Sequence, residues 1–282
     1  KRGVPVSLIN GRMSESSYKG YRKLKPLTAD ILRRIDPICV QGAVDAERMM
    51  GIGAPAERVH IMGTVKFDVA ERDPAGEQAA RDIMRQIGVP EDAVVLLGGS
   101  TWPGEEAVLC EIYQQLKAEH ENLFLVIVPR HVERAAEVVQ CFDDHGLSCV
   151  RRSRLDASAG VEPPDVLFVD TTGELRNFYS VADIIFVGKS LLESGGQNPI
   201  EPAMCGKAVV VGPNMENFPA VMPVFLKQDA LVQVADAAAL AAALAQLVAS
   251  QEARAALGAR AAQVVDANRG GIQRTVSMLG QQ

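Results

Sequence analysis

The chain has no apolar run long enough to cross a bilayer: its longest, such as residues 123–128, fall far short of the roughly 18 to 20 residues required. Nothing in it is therefore expected to span a membrane. It has no Cys-x-x-Cys, and its four histidines (His60, His120, His131, His145) show no ligand-spaced pair, which argues against structural zinc. The five cysteines (Cys39, Cys110, Cys141, Cys149, Cys205) are odd in number, scattered and mostly in apolar contexts. That excludes a disulfide framework and fits cytosolic usage. An initiator methionine and a signal peptide are also missing, since Lys1-Arg2-Gly3 leads straight into the strand-like residues 4–9. The expectation is a fragment, cut upstream of Lys1.

What remains is ordinary globular composition. In 282 residues, 48% are hydrophobic and 23% charged, enough for one large or two medium domains and too apolar for a disordered chain. The charge is uneven. Residues 1–34 hold nine Lys/Arg against Glu15 and Asp30, so that +7 sits there and −13 in the remainder of a chain whose net charge is −6. A basic segment on an acidic protein suits an anionic partner such as phosphorylated lipid, nucleic acid or a membrane surface. A solvated helix face is the plainer alternative.

From residue 93 onward, apolar strands alternate with helix-length segments: strands at 93–97, 123–128, 149–151, 166–169, 184–187, 208–211 and 231–234, with helices at 104–120, 133–145, 174–182, 199–205 and after Asp236. Continuous apolar strands separated by helices imply a parallel sheet covered on both faces, hence one complete Rossmann-like domain. Residues 237–245 look low in complexity but keep Leu240, Leu244 and Leu247 at helical spacing. Earlier signals read as the closing part of another such domain: strands at 4–9, 38–40 and 59–62, a basic helix near 18–35 and a helix at 44–50. Residues 67–74, with Asp68, Glu71, Asp73 and Pro74, read as the link. The boundaries expected are 1–70 for the first domain with the linker and 71–282 for the second.

Several motifs carry candidate chemistry. "GIGAPA" (51–56) matches a dinucleotide fingerprint on paper, but a helix precedes it and a strand follows, the reverse of what that fingerprint needs. A helix stop explains its glycines. "LLGGSTWPGEE" (96–106) has the right order of strand, small residues and helix. Gly98 and Gly99 would let a ligand approach, Ser100 and Thr101 offer hydroxyls, and Pro103 pre-sets the helix, whose start favours an anion. Trp102 lines the cleft or packs on the next helix. In "VIVPRH" (126–131), Arg130 follows a buried strand and presents a fork suited to phosphate or a base carbonyl. "DTTGEL" (170–175) repeats that geometry with Thr172 and Gly173. Ordinary capping accounts for either alone; three polar strand ends on one edge are harder to dismiss. In "ESGGQNPIEPA" (193–203), Gly195 and Gly196 allow a tight loop, Asn198 is placed as N-cap before Pro199, and Glu201 lies in the first turn. Glu201 either complements the helix dipole or accepts two hydrogen bonds from ribose hydroxyls.

This constellation resembles the bacterial Kdo transferases, which move 3-deoxy-D-manno-octulosonic acid (Kdo) from CMP-Kdo to a lipid A precursor. The matching stretches are "GRMSESSYKGYRKL", "GTVKFD", "GGSTWPGEE", "VPRH", "DTTGEL", "FVGKSL", "GGQNPIEPA" and "GPNMENF". The resemblance implies an α/β fold of GT-B type: two Rossmann-like domains with parallel sheets, the N-terminal one truncated, the donor nucleotide on the C-terminal one. It implies that Pro129, Arg130, Thr172, Gly173, Glu174, Asn198, Pro199, Ile200 and Glu201 bind CMP, beside Ser100, Thr101 and Gly196, and that Lys66 stabilises charge during transfer. The family commonly has His where Gln197 stands and Gly where Lys189 stands.

Upstream of Lys1 the resemblance places a glutamate general base, the acceptor groove and a membrane anchor, so the fragment alone is expected to be inactive. The expected partners are CMP-Kdo, the lipid A precursor and an anionic membrane surface at the cytoplasmic face of the inner membrane, with no nucleic acid. No Asp-x-Asp motif occurs, and no cofactor or metal is expected. Two alternatives stand: another GT-B enzyme using a UDP-sugar for transfer or epimerisation, and a non-catalytic nucleotide-binding module.

Overall fold

The computed structural model describes residues 4–68, 72–157 and 163–280, and the chain divides into two units, residues 1–70 with 266–282 and residues 71–265. Residues 69–71 of the expected link lie outside the described residues.

The first unit starts with β1 (Leu8–Gly11), α1 (Glu15–Lys23), α2 (Lys25–Leu32), β2 (Ile38–Val40), α3 (Ala43–Gly51) and β3 (Val59–Ile61). The three strands form a parallel sheet in the order β1-β2-β3. The basic helix expected near 18–35 is two helices. Pro26 in the first turn of α2 lacks the N–H and crowds the turn before it, so the chain breaks at Leu24. The core is Ile38 and Val40 of β2 against Leu32, Ala46, Met49 and Ile52. α3 stops as predicted: Gly53 has φ +105, and a Cβ there would sit 2.4 Å from the Ala29 Cβ. "GIGAPA" is thus a helix stop pressed against α2.

The second unit begins with a helix not anticipated from sequence, α4 (Pro74–Gln86). Its signals were present: Asp73 accepts a hydrogen bond from Gly76 N at 3.1 Å as N-cap, and Pro74 occupies the first helical position. Then follow β4 (Val94–Thr101), α5 (Glu105–Lys117), β5 (Leu123–Pro129), α6 (Ala135–Asp144), β6 (Cys149–Arg151), β7 (Val166–Phe168), α7 (Leu175–Phe178), β8 (Ile184–Val187), α8 (Ile200–Met204), β9 (Ala208–Val211), α9 (Met222–Leu226), β10 (Val232–Gln233), α10 (Ala237–Ala249) and α11 (Gln251–Asn268). The strands make one parallel sheet in the order β10-β9-β8-β4-β5-β7-β6. On one face Leu96, Leu125 and Phe186 pack against Leu109 of α5, Phe142 of α6 and Leu240 of α10. Each such fully buried side chain contributes about 1.5–3 kcal/mol.

From β4 the chain builds outward through β5 to β7 and β6, then returns to the other side of β4 to lay down β8, β9 and β10. That reversal between β4 and β8 splays the connections and opens a crevice beyond the carboxyl ends of the strands.

The C-terminal tail differs from the domain boundary expected at residue 282. Residues 266–282, including α12 (Gly271–Leu279), belong to the first unit. Gly270 N and Ile272 N donate to the Asp68 carboxylate, the latter at 2.6 Å, and the Arg274 guanidinium donates to the Met62 carbonyl at 3.0 and 2.8 Å. These bonds between residues some two hundred positions apart leave no local signal in the sequence.

Candidate functional site

At the carboxyl edge of the seven-stranded sheet, Ser100, Pro129, Arg130, Thr172 and Gly173 line one cleft of about 270 Å³, together with Thr171, Glu133 and Leu175. Three strand ends thus deliver five of the residues expected to bind donor into one space. Arg130 is exposed, and among the described residues no carboxylate pairs with its guanidinium. Its backbone is fixed, Arg130 N donating to Thr101 O at 3.0 Å. Gly173 takes φ +90 at the turn into α7, a conformation that keeps the loop low beside the cleft. A wider hollow of about 400 Å³, lined by Arg81, Ala93, Val95 and Asp183, lies at the amino ends of β4 and β8, away from the crevice.

The loop from β7 is tied down by its second residue. The Asp170 side chain, 2% exposed, accepts from Arg151 at 2.8 Å, from Ser153 N at 2.9 Å and from the Ser153 hydroxyl at 2.7 Å. Burial pushes the carboxyl pKa up, but the bonds from Ser153 and Arg151 outweigh it and hold it below the usual value. Glu174 accepts from Arg152 at 3.0 Å and from the Thr171 hydroxyl. Its carboxylate therefore braces the loop while its side chain stays 25% exposed.

The "GGSTWPGEE" stretch is sorted differently from expectation. β4 runs through Gly98 and Gly99 to Thr101, and a Cβ at Gly98 would sit 2.6 Å from Leu109 Cδ1, so this glycine lets α5 pack on the sheet and makes no room for a ligand. Thr101 is fully buried and donates to Glu106 at 2.8 Å, which removes it from the site. Glu106 is in turn held by Arg134 at 2.9 and 3.2 Å. Glu105, also fully buried, accepts from four backbone N–H groups: Trp102 at 2.9 Å, Lys189 at 2.8 Å, Ser190 at 3.1 Å and Leu191 at 3.0 Å. Burial raises its pKa, and those bonds pull it back. Helix α5 starts at Glu105 with Gly104 (φ +88) as N-cap, one residue later than the start expected at 104.

Beyond β8, Gly195 (φ +114) and Gly196 (φ +69) take conformations that favour glycine, as the paired glycine predicted. The space beside them is filled by protein: a Cβ on Gly196 would lie 2.4 Å from Met215 Sδ, and one on Gly195 2.6 Å from Asn217 Nδ2. Pro199, not Asn198, is the N-cap of α8, although Asn198 Oδ1 still accepts from Ile200 N at 3.1 Å. Gly196, Pro199 and Ile200 are buried and support the loop from beneath. Glu201 is half-buried, accepts from Asn198 Nδ2 at 3.2 Å and lies 3.8 Å from Arg176 of α7; neither it nor Asn198 lines the cleft of Ser100 and Arg130.

Lys66 belongs to the first unit, in a 3-10 turn, Val65–Phe67, capped by Thr64. Burial lowers its ammonium pKa, and the nearby Arg12 lowers it further. Outside the cleft, Cys110, Cys141 and His145 bring ligand-type atoms within 4.8 Å of one another, Cys141 of α6 and its C-cap His145 plus a neighbour on α5 that the sequence pattern did not suggest. The His145 Nδ1 is 2.7 Å from the Cys141 carbonyl, and the hydrogen bond from Cys110 brings the Cys141 thiol down to about 7.

Residues 107–264 match the family model described as Glycosyl transferases group 1. The chain belongs to the group 1 glycosyl transferases. Residues 1–69 match the model described as 3-Deoxy-D-manno-octulosonic-acid transferase (kdotransferase), so the resemblance read from the motifs holds. The 3-deoxy-D-manno-octulosonic acid transferase of Haemophilus influenzae is 31% identical over 279 residues, and that of Bordetella pertussis 32% identical over 283 residues. Each match covers 99% of this chain and 64% of the relative, so the chain spans 64% of their length. Among solved structures, the C-terminal CMP-Kdo binding domain of WaaA from Acinetobacter baumannii is 29% identical with a TM-score of 0.63, covering 68% of this chain and 99% of that domain. HepE from Anabaena, solved with UDP, is 14% identical with a TM-score of 0.61 over 99% of this chain and 72% of its own. At that identity it shows the fold alone. The parallel-sheet units are of the GT-B type expected from sequence.

Proposed function

We propose that the protein transfers Kdo from CMP-Kdo to a lipid A precursor, lipid IVA, in lipopolysaccharide core biosynthesis, and that its second unit holds the donor nucleotide. The observation that carries this reading is the convergence of Ser100, Arg130, Thr172 and Gly173 on one cleft at the carboxyl ends of β4, β5 and β7. It is supported by the likeness to a domain whose structure is described as CMP-Kdo binding. In this reading Arg130 and the backbone around Gly173 take the phosphate, and Glu201, oriented by Asn198 and Arg176, accepts from the ribose hydroxyls. By the family resemblance, which rests on the "GTVKFD" motif, Lys66 is assigned to stabilise the negative charge that develops as CMP leaves. The proposed transfer uses no metal, in keeping with the lack of an Asp-x-Asp motif, and Arg130 meets the leaving group's charge.

The acceptor side rests on the first unit. Tyr21, Leu24, Leu27 and Ile31 of the α1–α2 region are each about half exposed or more, beside the basic Lys19, Arg22, Lys23 and Lys25. Apolar side chains rimmed by lysine and arginine suit an anionic bilayer surface, here the cytoplasmic face of the inner membrane. Among the described residues no helix is long and apolar enough to cross it. Calorimetric titration with CMP and UDP tests the donor assignment. CMP is expected to bind at least about tenfold tighter; equal affinity, or preference for UDP, would overturn the reading in favour of a UDP-sugar enzyme.

A further inference from the structure

The crevice between β4 and β8 holds one cation that the reading above does not use. Lys189 is the second residue after β8, and the backbone of its neighbour Gly188 lies so close to Ser100 that a Cβ would sit 2.4 Å from the Ser100 carbonyl oxygen. Lys189 has φ +57 and Ser100 φ +54, so two non-glycine residues at the ends of adjacent central strands share the left-handed conformation. The backbone is locked there: Lys189 N donates to Glu105 at 2.8 Å, and its carbonyl accepts from Gly196 N at 2.9 Å. Lys189 therefore stands between the Ser100–Arg130 cleft and the loop leading to Glu201. Its Nζ lies 4.2 Å from the centroid of the Trp102 ring, and Trp102 meets the His131 ring edge-on at 5.3 Å.

A lysine stacked on an aromatic face is positioned but not neutralised, because the ring takes one side of the ammonium and leaves its other N–H donors to be satisfied. Among the described residues no carboxylate pairs with it. Keeping lysine in a conformation that disfavours it, at the edge where ligands of open α/β sheets bind, calls for a gain elsewhere. We infer that Lys189, held by Trp102, is an additional anion-recognising subsite of the donor site, contacting an anionic oxygen of the nucleotide-sugar donor. Two oxygens share that chemistry, those of the nucleotide phosphate and those of the acidic sugar's carboxylate.

The inference rests on the nucleotide-donor reading, and the test separates the two. Trp102 is the only tryptophan, so its fluorescence reports ligand at this site. The unaltered chain, Lys189→Met and Lys189→Arg are titrated with cytidine, CMP and freshly prepared CMP-Kdo. Lys189→Met keeps the apolar stem on the ring without the charge; it is expected to bind CMP-Kdo about tenfold more weakly while cytidine affinity holds, with Lys189→Arg close to the parent. An equal loss for CMP identifies the phosphate as the contact, and a loss confined to CMP-Kdo identifies the sugar carboxylate. Unchanged CMP-Kdo affinity in Lys189→Met, or an equal fall for cytidine, overturns the subsite and leaves the donor reading intact. Failure of the unaltered chain to bind any of the three overturns both.

Discussion

Glu105 and Arg130 stand at the carboxyl edge of the same sheet, and their charges are met in opposite ways. Glu105 is fully buried, with four backbone N–H groups directed at its two oxygens, and it fixes residues 189–191 against the start of α5. Arg130 is exposed at the cleft, with no carboxylate partner among the described residues. The edge is thus divided into charged groups satisfied by protein, which hold its shape, and charged groups left facing the cleft, which are available to a ligand. Removing the first kind should cost fold stability, and removing the second should cost binding.

The largest effect is expected from Glu105→Ala. It strands several buried N–H donors, each costing about 1–3 kcal/mol, so a loss of about 3–5 kcal/mol in urea unfolding is expected. A change under about 1 kcal/mol would show that water or a local shift replaces the carboxylate, and the division drawn above would fail on its buried side.

Asp170 extends the same side of the comparison to pH. Its folded-state pKa is depressed, so the stability it contributes is fully present above the unfolded value of about 3.9 and is lost as pH falls through the lower folded value. The gap in unfolding free energy between the parent and Asp170→Asn should be wide at neutral pH and should close on acidification below about pH 4. A gap independent of pH would mean that the Arg151 and Ser153 contacts act by packing rather than by charge.

Arg130→Ala probes the opposite side. Stability should stay within about 0.5 kcal/mol of the parent, as for an exposed residue, while CMP affinity falls about tenfold or more. Loss of fold with binding retained would place Arg130 with the bracing groups.

Much of this edge was legible in sequence because parallel sheets leave a strong one-dimensional trace. β2, β6, β8 and β9 begin and end where the apolar runs do, and the polar residues just after β5 and β7 do line the cleft. Local punctuation is present too, but points elsewhere than expected: Asp73-Pro74 opens α4 where a link is expected, and Pro26 divides the basic helix. What could not be read was which polar side chains are already engaged. Glu105 finds its partners at residues 189–191, some 85 positions away, and Thr101 is removed from the site by Glu106. The glycines misled for the same reason: Gly98 and Gly196 are required by Leu109 and Met215, side chains that the linear sequence does not show to be adjacent.

The smallest expected effect concerns Lys189, which belongs to both sides of the comparison, its backbone serving the bracing network and its ammonium the cleft. Lys189→Ala removes the contact with Trp102, worth about 0.5–1 kcal/mol for a cation on an aromatic face, and keeps a Cβ at φ +57. Lys189→Gly removes the same contact but relieves the left-handed strain, about 1 kcal/mol for an L-residue. Glycine should therefore be the more stable of the two by about 1 kcal/mol in urea unfolding, with Lys189→Gly close to the parent and Lys189→Ala below it. If the two variants unfold together, the strain is absent and the lysine needs no compensating role at the cleft. If glycine exceeds alanine while both bind CMP-Kdo more weakly than the parent, the position trades backbone ease for a charge directed at the donor.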